Sequence, residues 1–287
     1  MSYPDDLREA VDRHLESVRF SGEPATEGLE DAMRYSLLAG GKRIRPVLCL
    51  ATARSMGRPI EEYLSMAVAL EMVHTYSLVH DDLPAMDDDD LRRGQPTSHI
   101  RFGEAVAILA GDGLFAEAMR TLAAVPGDPE RVLETVKLLA GATGVAGMVG
   151  GQYVDVTAED LDAEQLLRLH SLKTGRLIEV SVESALAYGG VPAAGRGSYE
   201  LFAREVGVLF QIVDDILDVT GSDEELGKPQ GSDERHGKVT YVSLYGLERA
   251  RELAAGSHGA AIAALDEVDG ETGSLRSVAD YIYRRET

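Results

Sequence analysis

Residues 80–93 read HDDLPAMDDDDLRR: six aspartates (Asp81, Asp82, Asp87, Asp88, Asp89 and Asp90) within ten positions, closed by Arg92 and Arg93. Carboxylates this dense cannot all stay ionised side by side unless cations neutralise them. A hard ion with oxygen ligands, magnesium ahead of calcium, suits them, and phosphate oxygens of a substrate would complete its shell. The plain alternative is a solvated acidic loop. An EF-hand loop is excluded, because the register offers no glycine at its sixth place and no glutamate at its twelfth. A second aspartate cluster far downstream, Asp214, Asp215 and Asp218, decides against an isolated acidic loop.

That second cluster lies on a helical stretch over 201–220. Gln211, Asp214, Asp215 and Asp218 fall at i, i+3, i+4 and i+7, while Leu209, Ile212, Val213, Ile216, Leu217 and Val219 cover the remaining surface. A solvent-facing stripe would mix Lys, Arg and Glu. A face of Asp and Gln alone on an apolar helix is expected to look onto an internal wet cavity.

Outward from these two anchors the pattern is helical almost throughout, with apolar residues at three- and four-residue spacing and no convincing alternating strand. Short breaks at 21–28, 56–59, 125–130, 188–197, 222–238 and 271–274 divide it. The chain reads as all-α, a single domain over residues 1–287 of roughly ten or more helices. Helix one spans about Tyr3 to Phe20. A second helix ends at Gly40-Gly41, with Lys42, Arg43 and Arg45 following before Pro46, and three cations at such a turn suit an anionic group. His74, Ser77 and Asp81 share a helical stripe, and Pro84 then breaks the helix, since Asp81 and Asp87 share no face of a straight one. Glycines 141, 144, 147, 150 and 151 lack the spacing of a nucleotide loop and point to close helix approach. Asp162-Ala-Glu-Gln165 reads as a capping box ahead of a helix to His170, where Lys173 and Thr174 adjoin Gly175.

Composition narrows the function. With 28 Lys and Arg against 49 Asp and Glu, the net charge of -21 argues against a nucleic-acid partner. It also requires any diphosphate substrate to be met by metal ions and a local basic patch. The sequence holds 23 arginines but five lysines, and four of these (Lys42, Lys173, Lys228 and Lys238) sit in short Gly-flanked polar segments. Cys49 stands alone, so a reducing cytoplasmic setting is expected, and no signal peptide or apolar run of membrane-spanning length is read.

Taken together, GGKRIRP (40–46), HTYSLVHDDLPAMDDDDLRRG (74–94), GGQYVD (150–155), KTG (173–175), FQIVDDILD (210–218), GKPQGSD (227–233) and KVTY (238–241) resemble, in order, the motifs of the trans-isoprenyl diphosphate synthases, the polyprenyl synthetase family. The first motif has the DDxxxxD spacing of the bacterial-type members. The resemblance implies an isoprenoid-synthase helical bundle and a homodimer. It also implies three magnesium ions, held by Asp81, Asp82 and Asp87 on one side and by Asp214, Asp215 and Asp218 on the other. Arg92, Lys173, Thr174, Gln211, Lys228 and Lys238 would complete the allylic diphosphate pocket, with Lys173 also counted among the catalytic residues. Lys42, Arg45, His74 and Arg93 would bind isopentenyl diphosphate. Arg285 would match a C-terminal arginine of the family. An aromatic at Tyr76, with Ser77 beside it, implies a floor under the growing chain and a farnesyl product, with geranylgeranyl diphosphate as the alternative. A class I terpene cyclase would carry an Asn/Ser/Glu second metal motif and no GGKRIRP. A non-catalytic prenyl synthase subunit would have lost an aspartate motif. A mere divalent-ion binding protein leaves Gln211 and the four placed lysines without a role.

Overall fold

The computed structural model describes residues 3–158, 161–221 and 239–285. Its helices in chain order are α1 (Asp5–Ser17), α2 (Glu27–Leu37), α3 (Ile44–Ser55), α4 (Leu64–Asp81), α5 (Ser98–Phe102), α6 (Glu104–Ala123), α7 (Pro129–Thr143), α8 (Met148–Thr157), α9 (Ala163–His170), α10 (Arg176–Gly189), α11 (Gly197–Thr220), α12 (Tyr241–Tyr245), α13 (Leu247–Asp266) and α14 (Gly273–Arg284). The all-α expectation holds. The only sheet among the described residues is a two-stranded antiparallel ribbon, β1 (Leu91–Arg92) against β2 (Gln95–Pro96), with Leu91 opposite Pro96.

The centre consists of helices that are apolar on every side. In α3, Val47 through Ala53 are fully buried, and Pro46 sits in the first turn, where a missing N–H breaks no helical bond. In α4, Met66 through Val73 are buried around the circumference. A helix hydrophobic all round has to be wrapped by others. Accordingly α4 packs against α6 and α3, α10 against α7 and α3, and α11 against α13 and α10. Outer helices bury one stripe only. Leu7, Val11 and Leu15 face inward from α1, which is shorter at both ends than the expected Tyr3 to Phe20.

Glycine governs two local approaches. The expected capping box opens α9, with the Asp162 side chain accepting from the Gln165 N–H. Beyond α9, Ser171–Gly175 forms a π turn, which no local pattern of residues announces. This turn is held between two helices: a Cβ at Gly151 of α8 would lie 2.4 Å from the Lys173 nitrogen, and one at Gly207 of α11 would lie 3.2 Å from the Gly175 Cα. Close approach thus explains Gly151. Gly147 and Gly150 instead lie against carbonyls of their own preceding turn, and Gly141 faces open space. Pro129–Thr157 is long and apolar enough by composition to cross a membrane. It is, however, interrupted between Thr143 and Met148 into α7 and α8, and α7 packs on α10.

Candidate active site

Both aspartate clusters come to the C-terminal ends of helices. Asp81 is the last residue of α4, and Asp214 and Asp218 occupy the last two turns of α11. Helix C-termini carry a partial negative charge, so carboxylates there are doubly unfavourable without a cation. The two ends open onto one cavity of about 670 Å³. Asp81, Asp214, Asp218 and Gln211 line it, together with Arg45, His74, Arg92, Arg93, Lys173, Thr174 and Arg285. Its apolar wall comes from Met148, Val149 and Val156 of α8, with Phe210, Met86 and Leu91. Apart from GGQYVD, α8 carries no signal in the sequence, because an apolar helix facing a cavity looks like one facing the core.

Neighbouring aspartates in each motif do different things. Asp82 is buried and turned away from the cavity, accepting from the Arg92 Nε at 2.7 Å. Burial pushes its carboxyl up and Arg92 pulls against that shift. Arg92 also donates to Asp89 at 3.2 Å, which ties the loop to the end of α4. Asp87 does not line the cavity. Its N–H donates to the Asp81 carbonyl at 2.9 Å, so the break at Pro84 folds the loop back over the helix end. Asp215 is buried behind α11, accepting from the Tyr241 N–H and the Gln211 Nε2, each at 2.7 Å. The polar stripe read from spacing is therefore split: Gln211, Asp214 and Asp218 face the cavity and Asp215 anchors α12.

Opposite the carboxylates stand the cations. Lys173 sits in the π turn, its Nζ 2.6 Å from Asp155 of α8. Thr174 donates to Gln211 at 3.2 Å, one turn beyond the Gly175–Gly207 approach that makes the contact possible. Arg285 reaches back from the end of α14 to Asp214 at 3.7 Å, with its guanidinium 5.8 Å from the Phe210 ring. A second cationic group lies nearer the Gly40-Gly41 turn. Arg45 is buried, its Nε has no hydrogen-bond partner among the described residues, and burial lowers its pKa to about 10. His74 lines the cavity with its Nδ1 likewise unpartnered, and burial, reinforced by Arg45 and Arg93, holds it well below its ordinary range and neutral. Arg93, in left-handed backbone conformation (φ 54°), donates to the Gly40 carbonyl. Lys42 does not line this cavity; its ammonium lies 5.1 Å over the Tyr281 ring. Lys228 and Lys238 lie outside the described residues.

Tyr76 and Ser77 both line the cavity. Tyr76 is braced edge-on by Phe115 at 5.3 Å and by His80 at 5.5 Å. His80 fits there because residue 111 of α6 is glycine; a Cβ would meet the imidazole at 2.1 Å.

The donors suit a hard cation. They are oxygens only, come from two helix ends, and are ringed by fixed positive charge that would receive an anionic co-ligand. No group of three His, Cys, Asp or Glu side chains among the described residues is gathered to hold an ion unaided. An ion here would depend on ligand oxygens and water to fill its shell.

Comparison with known proteins agrees with this geometry. The sequence profile of the family described as polyprenyl synthetase matches residues 26–267. Farnesyl diphosphate synthase of Geobacillus stearothermophilus is 44% identical over 284 residues, covering 96% of this chain and 93% of that protein. The chloroplastic geranylgeranyl pyrophosphate synthase of Catharanthus roseus is 45% identical over 283 residues, covering 96% and 79%. Among solved structures, the Helicobacter pylori geranyltransferase complexed with magnesium and isoprenyl diphosphate superposes with a TM-score of 0.87 at 32% identity, covering 99% of this chain and 98% of that one.

Proposed function

This chain belongs to the polyprenyl synthetase family and is a short-chain trans-prenyltransferase; we propose that it joins isopentenyl diphosphate to dimethylallyl or geranyl diphosphate, with farnesyl diphosphate as its main product. One observation carries this reading. Asp81 on one helix end and Asp214 with Asp218 on another face a single cavity that is cationic around the carboxylates and apolar beyond them.

The proposed ions are magnesium, three in number, held by Asp81 and the acidic edge that Asp87 joins on one side, and by Asp214 and Asp218 on the other. When bound they would neutralise the charge that grows on the departing diphosphate. Lys173, Thr174, Gln211 and Arg92 would hold the allylic diphosphate, with Lys228 and Lys238 added from outside the described residues. Asp82 and Asp215 would act from behind, Asp82 by orienting Arg92 and Asp215 by orienting Gln211. Arg45, Arg93 and neutral His74, with Lys42 from the same turn, would take the second diphosphate. Met148, Val149, Val156 and Phe210 would keep water from the allylic carbon while the double bond attacks it. The released diphosphate would then remove the proton, so no side-chain nucleophile is required. Cys49 is unsuited to that role, since it is buried and its thiol pKa is pushed up by burial.

Tyr76, backed by Phe115 and His80, would act as the floor that stops growth at fifteen carbons. The 45% identity to a geranylgeranyl pyrophosphate synthase supports a second reading, with twenty carbons as the product. The exposed Ile108 and Leu109 of α6 suit the expected homodimer, acting in the cytoplasm. The deciding experiment incubates purified protein with magnesium, dimethylallyl and isopentenyl diphosphates, with chromatography of the products. A fifteen-carbon diphosphate lost on chelation is expected; no condensation with any allylic diphosphate would refute the reading.

A further inference from the structure

We infer that Arg43 and Glu71, a buried ion pair that does not line the cavity, are positioning residues for the second anionic subsite, fixing the turn that carries Lys42 and Arg45 and supplying the counter-charge against which Arg45 and Arg93 are assembled. The inference rests on the reading that this subsite takes isopentenyl diphosphate.

The Arg43 guanidinium joins four elements at one point. From the N-terminus of α3 it donates to Glu71 of α4 at 2.6 Å, to Asp12 of α1 at 2.9 Å and to the Leu37 carbonyl at the end of α2 at 3.0 Å. Arg43 is 4% exposed and Glu71 1%. The backbone at Arg43 is left-handed, with φ 53°, a conformation a long side chain rarely takes unless the surroundings fix it. Lys42 precedes this residue directly and Arg45 follows two positions later, so the direction in which both leave the turn depends on where Arg43 is held.

Charge gives the same assignment. Three guanidinium groups, those of Arg43, Arg45 and Arg93, converge behind and beside the subsite. Arg93 lies across the Gly40-Gly41 turn, where a Cβ on Gly41 would come 2.8 Å from its Cζ. Glu71 is the buried carboxylate among them, one helical turn before His74. Burial pushes both Arg45 and Arg93 downward, and Glu71 is the leading charge that opposes this in each. A buried pair needed only for stability is commonly replaceable by apolar residues of similar volume. Here the carboxylate faces further cations that an apolar residue would leave uncompensated.

Two variants test this: Glu71→Gln, which keeps shape and an acceptor for Arg43, and the double variant Arg43→Met/Glu71→Met, which replaces the pair with apolar bulk. Circular dichroism and urea unfolding establish folding. Steady-state kinetics then give separate KM values for isopentenyl and allylic diphosphates, and calorimetry with isopentenyl thiodiphosphate gives the subsite affinity directly. For both variants the KM and Kd at the isopentenyl subsite are expected to rise about tenfold or more, as for a binding group displaced by roughly an ångström. The allylic KM is expected to stay within about twofold. The double variant should be no less stable than Glu71→Gln yet remain impaired at the subsite. Equal changes in both KM values, an unchanged isopentenyl constant, or failure of both variants to fold would each overturn the inference, the last because the pair would then support the whole bundle. Wild-type protein that turns over no isopentenyl diphosphate would instead remove the functional reading beneath it.

Discussion

Replacing Gly151 by alanine puts the smallest possible side chain where α8 meets the backbone of the turn that carries Lys173. The new Cβ would lie 2.4 Å from the Lys173 nitrogen, 2.7 Å from its Cα and 2.9 Å from its Cβ. Ordinary carbon contacts begin near about 3.5 Å, so α8 and the π turn must separate by roughly 1 Å. Two of the three atoms are backbone and cannot rotate aside. Nor can the turn retreat, because Gly175 on its other side already rests against Gly207 of α11. The separation therefore moves Lys173 and Thr174 relative to Asp155 and Gln211, their present partners at 2.6 and 3.2 Å. Overpacking of this kind costs about 1–3 kcal/mol of stability. Displacing diphosphate-binding groups by an ångström costs about a hundredfold in kcat/KM for the allylic substrate. Urea unfolding measures the first and steady-state kinetics the second. Gly141→Ala is the control: that glycine is exposed in α7 with nothing within 4 Å of a new Cβ, so it should gain up to about 1 kcal/mol with activity unchanged. Gly151→Ala with wild-type stability and wild-type allylic kinetics would refute the account of how the π turn is placed.

Asp81→Ala and Asp214→Ala should each lower magnesium-supported turnover by at least about a hundredfold, since each removes a carboxylate from one side of the clamp; near-normal activity in either would rule out a two-sided metal site. Tyr76→Met should shift products toward longer chains by removing the ring that Phe115 and His80 brace, and an unchanged chromatogram would remove Tyr76 from that role. His170 gives a stability prediction. Burial lowers its pKa from 6.5 to about 4, so above 6.5 it is neutral whether folded or unfolded. As the pH falls through this window the unfolded chain takes up the proton and the folded one does not, and by about pH 5 roughly 2 kcal/mol of stability should be lost through this group. In urea titrations His170→Asn should lose correspondingly less between neutrality and that pH; identical slopes would contradict the assignment.

Much of the site was legible because helical spacing is a property of the chain alone. Periodicity assigned the all-α class, and the break at Pro84 accounted for the loop that folds Asp87 back on Asp81. Lysine scarcity singled out Lys173, which lines the cavity, and equally Lys42, which lies over Tyr281 instead. The capping box at Asp162 was readable because both partners lie within one turn.

Other features depend on which helix faces which, and no local pattern contains that. Successive helical residues point about 100° apart. A run such as Asp214-Asp215 or Asp81-Asp82 must therefore divide its side chains between directions, and the sequence cannot say which one meets the cavity. Packing of α12 beside α11 decided that Asp215 holds the Tyr241 N–H, and the fold of the loop onto α4 decided that Asp82 holds Arg92. Gly151 read as one of five glycines marking close approach, but its partner, and any purpose for Gly207, emerged only when the turn at 171–175 was seen between them. Arg43 read as one more cation beside a Gly-Gly turn, and Glu71 carried no signal of its own. Only the meeting of α1, α2, α3 and α4 made them a pair, because burial and distance between segments remote in sequence exist only once the chain has packed.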